Sequence, residues 1–143
     1  MRFLLAAILA LAIAPISVRA AGSEPQVYFF WAAGCGDCRA AREFLDRAKA
    51  EDARIQVRDF DVEGDLSNAI LFGELCTRIG LAEFRLVPLV VVGTHVVIGY
   101  DESVAREILE HIDACRKNGC RDIVHDLIRP PSEVEQASAA APR

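Results

Sequence analysis

The order of segments predicts an α/β domain, a four-stranded mixed sheet with helices on both faces. Three observations carry this reading. Two strand-like runs flank a segment of helical period, which makes a β-α-β crossover. Two β-branched runs then meet across a Gly-x pair, which makes an antiparallel hairpin. A last amphipathic segment follows and can cover the sheet. With 143 residues, 52% of them hydrophobic, the chain suffices for one domain with a sizeable core.

The elements follow in order. After a polar lead-in from Ala21 to Gln26, the apolar and aromatic run Val27–Trp31 is a buried strand. Beyond Cys38, Ala41, Phe44, Leu45 and Ala48 recur at i, i+3, i+4 and i+7. Arg39, Arg42, Glu43, Asp46, Arg47 and Lys49 lie mostly on the other face, so this helix lays one side on a sheet. Ile55 and Val57 alternate with Arg54, Gln56 and Arg58, the period-two pattern of a second strand ending near Asp59-Phe60-Asp61. Gly64-Asp65 breaks the chain. Leu66 to Ile79 is helical, with Ala69, Phe72, Cys76 and Ile79 on one stripe and Gly80 as the stop. Leu89–Val92 and His95–Ile98 form the hairpin across Gly93-Thr94. The final helix runs from an N-cap at Asp101 to Cys115, with Val104, Ile108, Ile112 and Cys115 along one side.

The two ends lie outside this domain, which is read as residues 21–128. Arg2 precedes an uncharged run from Phe3 to Ala14, followed by Pro15 and Val18-Arg19-Ala20, the pattern of a secretory signal peptide over residues 1–20. Twelve apolar residues are too few for a stable membrane-spanning helix; the competing reading is an uncleaved anchor. From about Arg129 to Arg143, Pro130-Pro131 and an Ala/Ser/Glu/Gln/Pro mixture cannot bury a core, so a disordered tail is expected. Removal of residues 1–20 takes away Arg2 and Arg19 and no acid. The 16 basic residues become 14 against 21 acidic ones, a formal −7. An acidic domain without a basic cluster argues against nucleic acid or an anionic membrane surface as partner.

Export to an oxidising, periplasmic compartment changes how five cysteines are read. They are disulfides or exchange catalysts before they are inert thiols. Cys35-Gly36-Asp37-Cys38 sits at the junction between the first strand and the first helix. The unpaired N–H groups and dipole of a helix start favour a thiolate over a thiol. Cys35 is the better placed and more accessible of the pair. Cys38 lies one turn deeper, near enough to attack a mixed disulfide formed at Cys35. This placement suits reversible dithiol–disulfide exchange.

Phe30-Trp31-Ala32, the Cys35–Cys38 motif opening a helix, and Val87-Pro88 opening a hairpin fifty residues on together resemble the thioredoxin superfamily. The likeness covers residues 26–115. Tyr28-Phe29-Phe30-Trp31 before the motif, and Cys115 with Asn118-Gly119-Cys120 after the last helix, look like exported thioredoxin-like and glutaredoxin-like thiol–disulfide oxidoreductases. In that group a similar domain is sometimes joined to a membrane electron-carrying module, and here such a donor or acceptor would be a separate chain. The resemblance implies that Cys35 is the attacking thiolate and Cys38 the resolving thiol. It implies that Pro88 is a cis-proline facing them, beside which substrate backbone pairs. Trp31, Gly34, Gly36, Asp37, Val87 and Pro88 are then the surfaces a substrate meets.

Three departures from the thioredoxin pattern bear on chemistry. Phe29 stands where thioredoxin has a buried carboxylate, so the proton-relay role has no evident holder. Gly34 replaces a bulky tryptophan and leaves the sulfur less shielded. Gly36-Asp37 replaces Gly-Pro, and Asp37 raises the Cys35 pKa while the helix start, with Arg39 and Arg42, lowers it. A dominant Asp37 makes the couple lean towards a reductant, because strong oxidants owe their power to a stabilised reduced form.

The remaining candidates have plainer readings. Cys115 and Cys120 are read as a structural disulfide worth about 2 kcal/mol in the chain-entropy model, ahead of a second redox pair, since no helix begins at Cys115. Cys76 lies on an apolar stripe and reads as a buried hydrophobe; the alternative is a partner for another thiol. His95, His111 and His125 show no regular metal-ligand spacing and are expected at the surface, so no metal site is assigned. No phosphate loop, Ser-His-Asp set or paired-carboxylate signature occurs, and no cofactor is assigned.

Two functions of different class remain. One is an exported thiol–disulfide oxidoreductase acting on protein thiols and disulfides, recharged by a separate redox protein and monomeric, since nothing specifies a dimer. The other is a non-catalytic binding module or metal carrier that uses Cys35 and Cys38 as ligands or a docking surface. The placement of the pair at a helix start beside the expected cis-proline favours the first.

Overall fold

A computed structural model describes residues 24–129. The expected signal peptide over 1–20 and the expected tail from Pro130 onwards lie outside the described residues. The elements are β1 (Gln26–Trp31), α1 (Gly36–Glu51), β2 (Gln56–Asp61), α2 (Leu66–Arg78), β3 (Leu89–Val92), β4 (His95–Ile98), α3 (Glu102–Asn118) and α4 (His125–Ile128).

The strands form one sheet in the order β2-β1-β3-β4. β1 runs parallel to β2 and antiparallel to β3, and β3 pairs antiparallel with β4. The predicted mixed sheet with helices on both faces is therefore what forms. β1 and β3 are central and covered on both sides, which is why both read as continuous apolar runs.

Alternation along β1 divides two cores. Val27 and Phe29 face α1 and α3, packing with Ala41, Phe44, Leu45, Ala48, Ile108 and Ile112. Tyr28 and Phe30 face the other way, onto Phe60, Phe72, Leu75, Cys76 and Val124. The Phe30 ring stacks on Phe60 at 4.9 Å and on Phe72 at 5.5 Å between centroids.

Three features differ from the sequence expectation. The buried face of α2 is Phe72, Leu75 and Cys76, whereas Ala69 and Ile79 are only half-buried. Leu75 lies three residues after Phe72 and widens the stripe beyond one row. Helix α3 continues past Cys115 to Asn118, where Gly119 at φ +71° ends it. The third difference is an element the period reading had not anticipated, the short α4. Val124 just before it is fully buried in the second core, and the Tyr28 hydroxyl donates to Asp122 Oδ2 at 2.7 Å. This four-residue helix offers no periodic signal, and its position depends on a groove built by distant residues.

Capping fixes where helices start. Asp65 Oδ1 accepts from Asn68 N at 2.9 Å, and Asp101 Oδ1 accepts from Ser103 N at 2.7 Å and Val104 N at 2.9 Å. The Ser103 hydroxyl and these amides hold the Asp101 carboxyl below its usual range. Asp52, which caps the end of α1, is held well below the usual range by hydrogen bonds from Arg54 and by Arg116. At the other extreme, burial and the bond to Asp122 push the Tyr28 phenol well above its ordinary value.

These shifts predict the pH limits of stability. The folded values of Asp52 and Asp101 lie below their unfolded values. Their contribution is thus present above about pH 4 and lost as pH falls through the folded values. Tyr28 has a raised folded value. Its contribution is present below about pH 10 and lost above, where the unfolded chain ionises first. Melting temperature followed by circular dichroism should be level near neutrality and fall on both sides. Asp52→Asn should flatten the acid limb, and a wild-type acid limb flat down to about pH 2.5 would refute the account.

Candidate active site

The site lies where β1 hands over to α1. Gly34, at φ +79°, turns the chain, and Cys35 serves as the N-cap of α1. The Cys38 amide donates to Cys35 Sγ at 3.1 Å, so the sulfur occupies the place a capping oxygen usually takes. Cys35 and Cys38 are joined as a disulfide with Cα atoms 5.2 Å apart. Cys38 is 3% exposed and packs into the first core, whereas Cys35 is half-buried at its edge. In the reduced pair the Cys38 amide and the helix start both favour a thiolate at Cys35.

The segment before β3 faces this disulfide. The Val87–Pro88 bond is cis, and the Val87 carbonyl oxygen lies 3.8 Å from Cys35 Sγ. A disulfide sulfur carries no hydrogen, so this is a contact here; the reduced thiol could donate to that carbonyl. Gly99 N donates to Pro88 O at 2.8 Å and closes the base of the hairpin behind it. Gly36 and Asp37 stand exposed in the first turn of α1, and no atom lies within 4 Å of the space a Cβ would fill at Gly34 or Gly36. The sulfur is open on that side.

The other wall is aromatic and cationic. Trp31, Ala32, Ala33, Gly34, Arg39 and Arg42 line a cavity of about 160 Å³ against Cys35 and Cys38. Arg42 lies over the Trp31 ring at 4.4 Å and the Phe29 ring at 5.2 Å. Its guanidinium is 3.6 Å from Asp59, to which Trp31 Nε1 also donates at 3.2 Å. Asp59 therefore shares the charge of Arg42, which weakens the help expected from Arg42 in lowering the Cys35 pKa. Phe29 offers Arg42 a ring face.

The remaining cysteines lie elsewhere. Cys76 is fully buried in the second core, where desolvation pushes its thiol up. Cys115 and Cys120 are bonded, with Cα atoms 5.0 Å apart. Cys120 Sγ fills the space beside Gly93, at the end of β3 away from Val87. Gly93 lies six extended residue steps beyond Val87, roughly 20 Å, so the two disulfides do not touch. Replacing both Cys115 and Cys120 by Ser should lower unfolding free energy by about 2 kcal/mol in denaturant titration and leave the chemistry of Cys35 unchanged. A fall in exchange rate without a fall in stability would favour a relay role.

His95 and His111, sixteen residues apart in the chain, stand together with their ring centroids 3.3 Å apart. Sequence spacing concealed this, because one lies on β4 and the other on α3. His125 opens α4.

No protein-family model and no curated protein match the chain. Solved structures do. A Chlorobium tepidum protein described as a thiol:disulfide interchange protein DsbE is 14% identical, over 66% of this chain and 82% of its own, with a TM-score of 0.50. The Archaeoglobus fulgidus glutaredoxin is 21% identical over 61% of this chain and 86% of its own, with a TM-score of 0.45. Oxidised thioredoxin O2 from Arabidopsis thaliana is 24% identical over 62% of this chain and 75% of its own, with a TM-score of 0.45. The likeness to the first is one of fold, and the mixed four-stranded sheet with helices on both faces is consistent with it: the chain has a thioredoxin-like fold.

Proposed function

We propose that the protein is an exported thiol–disulfide oxidoreductase in which Cys35 is the nucleophile and Cys38 the resolving thiol. The observation that carries this is the asymmetry of the pair: a half-exposed Cys35 at a helix N-cap, bonded to a buried Cys38. The Cys35 thiolate attacks one sulfur of a substrate disulfide, and the other sulfur leaves as a thiolate that takes up a proton. Cys38 then gives up its proton and attacks Cys35 Sγ, which breaks the mixed disulfide and releases the dithiol product. The chain ends oxidised at Cys35–Cys38, and a separate redox protein restores it with two electrons and two protons.

Val87 and Pro88 supply the backbone edge against which a substrate lies. Trp31 walls one side, and Gly34, Gly36 and Asp37 leave the other open. The substrates are protein thiols and disulfides in the periplasm. The chain acts as a monomer, with a membrane-embedded electron source or sink as its recycling partner. Asp37 beside the site, and the sharing of Arg42 with Asp59, both leave the thiolate less stabilised and favour the direction of a disulfide reductase.

The reduction potential of Cys35/Cys38 tests this reading. Residues 21–143 are equilibrated against glutathione buffers, trapped with a thiol reagent and weighed by mass spectrometry. A value near about −270 mV is expected of a reductase, and one near about −120 mV would make the protein an oxidant. A pair that does not cycle would replace catalysis with the binding-module reading.

A further inference from the structure

His95 opens β4 just after the Gly93–Thr94 turn, and Glu107 and His111 stand four residues apart on one face of α3. His95 Nε2 lies 2.7 Å from Glu107 Oε1, and the His111 ring stacks on that of His95. One ligand atom from each of the three residues falls within 4.8 Å of the other two, and all three residues are half-buried, so the cluster is open to solvent. We propose that His95, Glu107 and His111 bind one divalent transition-metal ion of the zinc type through two imidazole nitrogens and a carboxylate oxygen.

Donor chemistry selects the class of ion. Two imidazoles and one carboxylate suit zinc and its late first-row neighbours, whereas calcium and magnesium take oxygen ligands. Three protein ligands leave a fourth position for water or another small ligand. Metal–ligand bonds of about 2.0–2.2 Å set tetrahedral donors about 3.3–3.5 Å apart. The closest pair must open slightly and no pair need close by more than about 1.5 Å, adjustments that side-chain rotation can supply on a strand and a helix already packed together.

The place in the fold separates this site from the dithiol. His95 pairs with Val92 at one end of β3, and Val87–Pro88 precede the other end, beside Cys35. Cys115 follows His111 by one turn of α3, so the cluster adjoins the Cys115–Cys120 disulfide. A metal here would join β4 to α3 beside that disulfide, independently of exchange at Cys35.

Zinc titration of the untagged chain tests the proposal. The protein is stripped with chelator and kept oxidised, so that Cys35, Cys38, Cys115 and Cys120 are in disulfides and cannot ligate. Calorimetry should find one Zn²⁺ per chain, with affinity falling more than about tenfold in His111→Ala and in Glu107→Gln. Glu107→Gln keeps an acceptor for His95 and removes the charged ligand, so its loss of affinity cannot be assigned to a damaged fold. His125→Ala should bind as wild type does. Failure of the wild type to bind Zn²⁺, or undiminished binding by folded His111→Ala or Glu107→Gln, would overturn it.

Discussion

Cys35→Ser should reduce the rate of exchange with a model disulfide to background, a loss of about a thousandfold or more, as removal of a nucleophile costs in other enzymes. The thiolate is the attacking species, and a serine hydroxyl at a helix start stays protonated at neutral pH. The fold should survive, because serine is itself a favoured N-cap and can accept from the Cys38 amide as Cys35 Sγ does. Cys38→Ser should behave differently. Attack by Cys35 is retained but nothing resolves the mixed disulfide, so covalent adducts with partner proteins should accumulate. Non-reducing gels and mass spectrometry read the adducts, and release of a chromogenic thiol reads the rate. A Cys35→Ser protein that exchanged at the wild-type rate would show that the nucleophile had been misassigned.

Phe30→Ala should lower stability by about 3–5 kcal/mol, the usual cost of emptying a buried aromatic site. The ring is fully buried between Phe60 and Phe72, so its removal leaves a cavity bounded by two elements that cannot both close in. Domains of this size hold only about 5–15 kcal/mol in total, so the variant should unfold at much lower denaturant. Urea titration measures the effect, and a cost below about 1 kcal/mol would mean that the second core does not depend on this stack. Phe30 immediately precedes Trp31, so exchange activity should fall in step with the folded fraction.

Much of the fold was legible in local pattern. The crossover and hairpin followed from period two at Ile55–Arg58 and the β-branched runs around Gly93-Thr94. The helices followed from stripes such as Ala41, Phe44, Leu45 and Ala48, which the structure buries in the first core. Asp101 was legible as a cap because an aspartate before a periodic run has one common use. The missing pieces were those without a period. Leu75 widened the α2 stripe, and Val124 entered a groove that exists only once β1, β2 and α2 are assembled.

At the candidate site the sequence marked Cys35 and Cys38, and resemblance added Pro88. The sequence could not place Arg42 between Trp31 and Asp59. That arrangement requires β2 to lie beside β1 in the register that sets Trp31 opposite Asp61 and Phe29 opposite Asp59. Its consequence is electrostatic, since a cation counted from sequence as free to stabilise the thiolate is shared with a carboxylate.

By itself, then, the sequence determined the elements from β1 to α3 and their order, and the start of a helix at the dithiol, because these depend on residues within a few positions of one another. Tertiary structure alone decided the approach of the Val87 carbonyl to within 3.8 Å of the Cys35 sulfur and the cradle of Trp31 and Asp59 around Arg42. It likewise decided the bond from Tyr28 to a residue 94 positions away, and the meeting of His95 with Glu107 and His111. These contacts are fixed by sheet register and by how helices seat on two faces. Those depend on the packing of the whole core, which no local period encodes.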